Sequence, residues 1–285
     1  MKILGLDSSG LVAGVALAED YVLLAEYNVN YKKTHSQTLL PMLAEIMKML
    51  ELAPDSVDAI AVASGPGSFT GLRIGSATAK GLGLALDKPL VEVPTLEGLA
   101  YNLYGVTDLI CPLIDARRNQ VYTGIYEFAA EDVGDAGGAE GVTRCALRVL
   151  RPQAAVDISI ILEEINRMSA GHPGRGVIFL GDGVPVYRET ILDRMKIPFR
   201  FAPASCNRQR AGSIAALGAM YYAEGRTVSA ADHRPEYLRQ SQAERELNAG
   251  EKGHDPHTGA QAGQSRAGAQ AGESQADESR AGKQI

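Results

Sequence analysis

A chain of 285 residues with 45% hydrophobic content is long enough to bury one large core or two modest ones. A formal net charge of −6 argues against a protein that grips nucleic acid unaided, because phosphate contacts dominate such affinity; the clusters Arg117-Arg118, Arg144/Arg148/Arg151 and Arg208/Arg210 read as solvated faces. No apolar run approaches the roughly 18–20 residues that span a bilayer. Met1-Lys2-Ile3 leads straight into a strand with no signal peptide, and Cys111, Cys145 and Cys206 read as free thiols, so a cytoplasmic protein is expected.

Lys2 to Leu17 is an apolar run, an Asp-Ser-Ser-Gly turn and a second apolar run, a β-hairpin with Asp7 at its tip. A third strand covers Val22 to Asn30. Thr34-His35-Ser36-Gln37 then leads a helix to about Leu52, with Leu39, Leu43, Ile46, Met47 and Leu50 on one face. Pro41 in that helix fits only within its first turn or so. Ala59 to Ala63 reads as a buried strand, broken by Ser64-Gly65-Pro66-Gly67-Ser68, and a long helix runs to about Leu86 with Ser68 as its N-cap. A strand, a Gly-rich turn and a helix N-terminus together present backbone N–H groups to an anion. Along that helix Gly71, Gly75, Ala79 and Gly83 fall four residues apart. Glycine costs roughly 1 kcal/mol against alanine in a helix interior, so this stripe predicts the close approach of another backbone. Leu90 to Val93 is a short strand, and Pro94 and Thr95 cap a helix to about Tyr104.

The pattern then repeats. Ile110 to Tyr126 is a second hairpin, with Asp115 where Asp7 stood; residues 127–145 read as a loop and Pro152 to Met168 as a helix. Gly176 to Gly183 is a strand entering a Gly turn, followed by a short helix from about Val184 to Met195. A last helix, about Cys206 to Glu224, is expected to pack between or across the lobes, and Arg234 to Arg239 to end the fold as an extended segment. From about Ser241 the composition shifts to Ala, Gly, Gln, Ser and charges, which predicts a disordered tail over 241–285. The expected architecture is α/β: two duplicated lobes (1–106 and 107–204), a C-terminal helix and extended segment (205–240) and the tail. Two such lobes, each opening with an Asp-tipped hairpin, form the superfold of actin, Hsp70 and the sugar kinases, whose members bind ATP between lobes. Fold alone does not license that function.

The segments ILGLDSSG, HSQTLLPML, AVASGPGSFTGLRIGSATAKGLGLAL, PLIDARRNQVYTGIY, GDGVPVY and RPEYLR together resemble the bacterial TsaB family over about residues 1–240. The resemblance implies a non-catalytic paralogue of the transferase TsaD that pairs with it. With the ATPase TsaE, that complex places a threonylcarbamoyl group on the adenosine beside the anticodon of tRNAs reading A-starting codons. It implies contact with tRNA only through the complex and no membrane partner. TsaD proteins carry two metal-binding histidines as H-x-x-x-H shortly after this helix; here Thr95 and Leu99 occupy those places, and leucine cannot ligate a metal. His254 and His257 lie in the predicted tail. No metal is expected, and no cofactor, with ATP or ADP at the subunit joint the one candidate.

Candidates for a nucleotide or anion contact are Asp7, Gly65, Gly67, Ser68, Asp115, Gly181 and Gly183. Asp7 and Asp115 are suited to phosphates or magnesium, and equally to hairpin turns in which aspartate bonds its own backbone; the turn is preferred. Gly65-Pro66-Gly67-Ser68 lacks the lysine of a P-loop. Ser8, Ser9, Ser36 and Ser68 have no identifiable His/Asp partners, so a serine nucleophile has no support. The strongest signal is a surface: Leu39, Leu43 and Met47 on one helix, and Gly71, Gly75, Ala79 and Gly83 on the other, are assigned to a partner interface. Leu40 and Met49, and Leu72, Ile74, Leu82 and Leu84, point elsewhere and give each helix a second apolar face. In the family these helices meet their TsaD counterparts as a bundle, so Gly75→Leu is expected to abolish pairing and leave the monomer folded. A stand-alone ATP-dependent kinase or ATPase is the alternative, and a glycoprotease-type peptidase lacks its metal or nucleophile. Whether the chain homodimerises without its partner is left open.

Overall fold

The computed structural model describes residues 1–31, 34–132, 143–169 and 174–239. The predicted tail and the His254/His257 pair lie outside them. Strands β1 (Lys2–Asp7), β2 (Ala13–Glu19) and β3 (Val22–Val29) form an antiparallel meander, with Asp7 opposite Gly14 at the mouth of the first turn. Helix α1 (His35–Met49) crosses to β4 (Ala59–Gly65), which pairs parallel to β1. Helix α2 (Phe69–Leu86) leads to β5 (Leu90–Pro94), parallel to β4, and then to α3 (Thr95–Tyr101). The resulting sheet has the order β3-β2-β1-β4-β5.

The second half repeats this sequence of elements. β6 (Leu109–Asp115), β7 (Gln120–Asp132) and β8 (Thr143–Asp157) are antiparallel, followed by α4 (Ile158–Ser169), β9 (Val177–Leu180), α5 (Gly183–Arg194), β10 (Phe199–Phe201) and α6 (Ala211–Ala223). Its order, β10-β9-β6-β7-β8, is the first sheet's order read from the opposite edge. The fold is α/β, two duplicated actin-like lobes. No helix among the described residues is long and apolar enough to cross a membrane.

Several local expectations are corrected. Residues 127–132 and 143–145, expected in a loop, complete β7 and begin β8; residues 152–157, expected to begin a helix, complete β8. The β7 pairing overrides the helix-start signal of Pro152, with register shifts on β7 around Ile125 accommodating the turn of the chain opposite Arg151. The three-residue β10 was not anticipated. Helix α1 ends at Met49 rather than Leu52, and Pro41 lies in its second turn, where it removes the N–H that would bond to Gln37. Helix α6 starts at Ala211, not Cys206.

Each sheet is covered on both faces. Helices α1 and α2 pack on the first sheet around Leu4, Leu6, Val15, Ile60 and Val62. Its other face takes α6, with Ile214, Leu217 and Tyr221 against Ile3, Ala61 and Val91. The last helix therefore belongs to the first lobe. Small residues make this possible: a Cβ on Gly218 would lie 2.3 Å from the Ala61 Cβ, and one on Gly5 would lie 2.6 Å from the Ala211 carbonyl oxygen. The second sheet takes α4 and α5 on one face. On the other it takes α3, whose Leu96 and Leu99, with Leu103 just beyond its end, join Ile110, Ile114 and Tyr126. Helices α3 and α6 meet between the lobes, where Gly98 faces Ile214.

Candidate functional site

Two surfaces carry the sequence-predicted residues, a cleft between the lobes and the α1/α2 layer. The cleft has a volume of about 530 Å³. One wall is the β1–β2 turn (Ser9, Gly10) with the first turns of α1 and α2 (His35, Gly67, Ser68, Gly71); the other is the β6–β7 hairpin (Asp115 to Arg117) with Asp182. So Gly67, Ser68 and Asp115 come together as expected of a cleft contact. Asp7, Gly65, Gly181 and Gly183 do not line it, which corrects their assignment. Gly65 (φ +124°) has backbone in the way, because a Cβ there would lie 2.3 Å from the Glu236 carbonyl oxygen. Gly181 and Gly183 let the α5 turn pack on the Leu113 carbonyl.

Asp7 is buried beneath the turn, its Oδ1 accepting from the Ser9 amide at 2.9 Å and the Ser9 hydroxyl at 2.6 Å. Burial pushes its carboxyl up to about 6, against the lowering effect of the Ser9 bonds and of nearby His35. Asp115 repeats the motif: its Oδ1 accepts from the Arg117 amide at 2.9 Å and from the Tyr187 hydroxyl at 3.2 Å, and its Oδ2 lies 3.4 Å from the Arg117 guanidinium. Burial, with Asp115 adding to it, pushes the Tyr187 phenol up to about 12. Asp182 accepts from the Asp115 amide at 3.1 Å, and burial raises its carboxyl above the ordinary range. The Ser68 amide donates to the Ser9 carbonyl at 2.7 Å, and the Gly71 amide to the Ser68 hydroxyl at 3.3 Å, the predicted N-cap. A phosphate cradle depends on loop N–H groups that point outward unpaired. Here the Ser9, Ser68, Gly71 and Arg117 amides all bond within the protein, so the turn reading of both aspartates holds. His35, which the sequence did not single out, donates from Nε2 to the Gly10 carbonyl at 2.8 Å, while its Nδ1 is buried without a partner. The tautomer that donates from Nε2 satisfies the carbonyl.

The interface assignment is also corrected. Leu39, Leu43 and Met47 lie in the chain's own core, as does Ala79. A Cβ on Gly71 would lie 2.1 Å from the Ser8 carbonyl oxygen, one on Gly75 2.4 Å from the Ser8 hydroxyl, and one on Gly83 2.8 Å from the Ala230 Cβ. The close approach that the stripe predicted is real, but what approaches is the β1–β2 turn at Ser8 and the Ala230 side chain of the same chain. Leu72, assigned to the second face, is buried as well. Leu40, Met49 and Leu84 are where that face was expected, 52%, 67% and 65% exposed. Helix α2 also shows a second small-residue row that the sequence reading missed: Ala77, Gly81 and Ala85 are exposed, and a Cβ on Gly81 meets nothing within 4 Å. Thr95 and Leu99 are both buried in α3, Leu99 in the apolar layer against the second sheet.

The protein from Bacillus subtilis named tRNA threonylcarbamoyladenosine biosynthesis protein TsaB is 33% identical over 247 residues, 86% of this chain and 96% of that one. The chain belongs to the TsaB family. The TsaB protein of Escherichia coli is 35% identical over 130 residues, 45% of this chain and 55% of its own. The model of the family described as TsaD, tRNA N6-adenosine threonylcarbamoyltransferase, matches residues 23–247. Among solved structures, YeaZ from Pseudomonas aeruginosa superposes with a TM-score of 0.65 at 26% identity, covering 83% of this chain and all of that one.

Proposed function

We propose that this TsaB-family chain is the non-catalytic scaffold subunit in the formation of N6-threonylcarbamoyladenosine beside the anticodon of tRNAs reading A-starting codons. It pairs with the transferase TsaD, recruits the ATPase TsaE and meets tRNA through that assembly. The observation that carries the reading is the outward face of α1 and α2. Leu40 and Met49 of α1 are exposed, as are Leu84 and the small row Ala77, Gly81 and Ala85 of α2, so a partner helix can approach α2 closely and bury aliphatic side chains. The participation in tRNA threonylcarbamoyladenosine biosynthesis is supported by the names of the Bacillus subtilis and Escherichia coli relatives. The cleft supports a scaffold over a kinase, because the Ser9, Ser68, Gly71 and Arg117 amides are bonded to Asp7, Ser9, Ser68 and Asp115.

The test is co-expression with the same organism's TsaD homologue, followed by size-exclusion chromatography. A 1:1 complex that is lost on Gly81→Leu, in a variant that stays folded, supports the assignment. Failure of two folded chains to associate, or pairing of Gly81→Leu like the unaltered chain, sinks it, and ATP turnover by the isolated chain would favour a stand-alone ATPase.

A further inference from the structure

The segment after α6 touches both lobes in turn. Val228 bridges antiparallel to Leu90 of β5, and the His233 ring, fully buried, sits with Nδ1 2.6 Å from Glu92 Oε1. Lys80 of α2 donates to the Ala231 and His233 carbonyls at 3.0 and 3.3 Å. The chain then runs back along α2 toward its N-terminus. The Glu236 amide donates to the Ser64 carbonyl at 2.7 Å, and the Tyr237 ring stacks on Phe69 with centroids 4.5 Å apart. Phe69 in turn carries the Arg73 guanidinium 4.0 Å from its centroid. Up to this point every partner belongs to the first lobe.

The next contacts belong to the second. Gln153 of β8 donates to Glu236 Oε2 at 2.7 Å, and Arg239 donates to the Ala116 carbonyl at 2.5 Å. Ala116 is the root of the hairpin that forms one cleft wall, and Phe69 begins the helix that forms the other. Among the described residues the lobes also meet where α3 and α6 cross and along residues 207–209, where Arg208 donates to the Gly181 carbonyl and Gln209 lies against Gly10. The segment thus adds a further tie between the start of α2 and the β6–β7 hairpin.

We propose that residues 234–239 are a latch that sets the aperture of the interlobe cleft, anchored at His233 and closed by Tyr237 on the first lobe and Arg239 on the second. The anchor is buried, whereas Tyr237 is 38% exposed, so the distal end can release without opening either core. One aromatic contact or one hydrogen bond is of the size that shifts an equilibrium about five- to tenfold. A latch made of a few such contacts is closed in the resting chain and within reach of a binding event. Nothing in this depends on the identity of the partner at the α1/α2 face.

The test uses the full chain with Cys145 and Cys206 replaced by serine and spin labels at Gln37 and Asn119, one on each wall. In the unaltered background the distance distribution is expected to be single and narrow. Tyr237→Ala and Arg239→Ala should each add a longer-distance population, and hydrogen exchange at the Glu236 amide should rise about five- to tenfold. Lys80→Ala, which loosens only first-lobe contacts, should leave the distance unchanged. An unchanged distribution in folded Tyr237→Ala and Arg239→Ala overturns the proposal. So does cooperative unfolding of both, which would make the segment part of the core, and so does opening caused equally by Lys80→Ala.

Discussion

Asp7→Asn tests the physical account of the cleft floor most directly. The carboxyl is 2% exposed and both bonds it accepts come from Ser9. It titrates near 6 in the fold against an ordinary 3.8. Between those values the folded chain holds a proton that the unfolded chain has released, so stability falls as pH rises from about 4 to about 6 and is level above that. The ionised carboxylate therefore costs about 3 kcal/mol at neutral pH. Asparagine keeps an oxygen for the two Ser9 donors and removes the charge, but it places an N–H₂ where the second carboxylate oxygen lay, at a cost of about 1–2 kcal/mol. The variant should be more stable than the unaltered protein by about 1–2 kcal/mol at pH 7.5 and no more stable at pH 4.5. Urea unfolding at the two pH values measures this, with the midpoint moving and the slope constant. Parallel pH profiles for the two proteins, or destabilisation at pH 7.5, would show that Asp7 is stabilised as an anion by something other than Ser9.

Other consequences are equally specific. Gly75→Leu forces a side chain into Ser8, 2.4 Å from the first added carbon, and should destabilise the monomer by about 3 kcal/mol or more in a thermal melt; a folded, pairing-defective monomer would mean that the stripe faces outward after all. Glu26 accepts from the Arg210 guanidinium and, at 2.7 Å, from the Gly212 amide. Burial alone would raise its carboxyl, but these donors outweigh it and the net shift is downward, so its stabilisation is present at neutral pH and lost as pH falls below the ordinary glutamate range. Glu26→Gln should cost about 1–3 kcal/mol at pH 7 and progressively less as pH falls below the ordinary glutamate range; a cost that does not change with pH would assign the effect to packing. Gly218→Val should cost about 3 kcal/mol or more by urea unfolding because the Ala61 Cβ lies 2.3 Å from the new carbon, and a neutral result would mean that α6 can slide on its sheet.

The hairpins were legible because two apolar runs flank a turn built on Asp7 or Asp115, a local signal that tertiary contacts did not oppose. Residues 152–157 were not legible as strand. Pro152 looks like a helix start, and only its place opposite β7, fixed by residues thirty positions earlier, makes that stretch extended. Phe199–Phe201 is too short for any periodicity to show. At the α1/α2 face the four-residue spacing was visible but its direction was not. Helix α2 carries two small-residue rows, Gly71/Gly75/Ala79/Gly83 and Ala77/Gly81/Ala85, and nothing in the spacing says which one meets the Ser8 turn. The cleft was half legible for a related reason. Turn aspartates and glycines can be read from sequence, but whether their amides are left free for an anion depends on partners such as Ser9 and Ser68 in the folded chain.

The exchange of covering helices has a consequence for how the protein is made. The first sheet is complete by residue 94, yet the apolar face formed by Ile3, Ala61 and Val91 waits for residues 211–223. On a ribosome, more than a hundred further residues must emerge before that face is shielded. A nascent chain stalled anywhere in the second half therefore displays a greasy, half-finished sheet, and the amino-terminal half produced alone should aggregate or be held by chaperones. The protein matures only once its final helix arrives, as a single unit and not one lobe at a time.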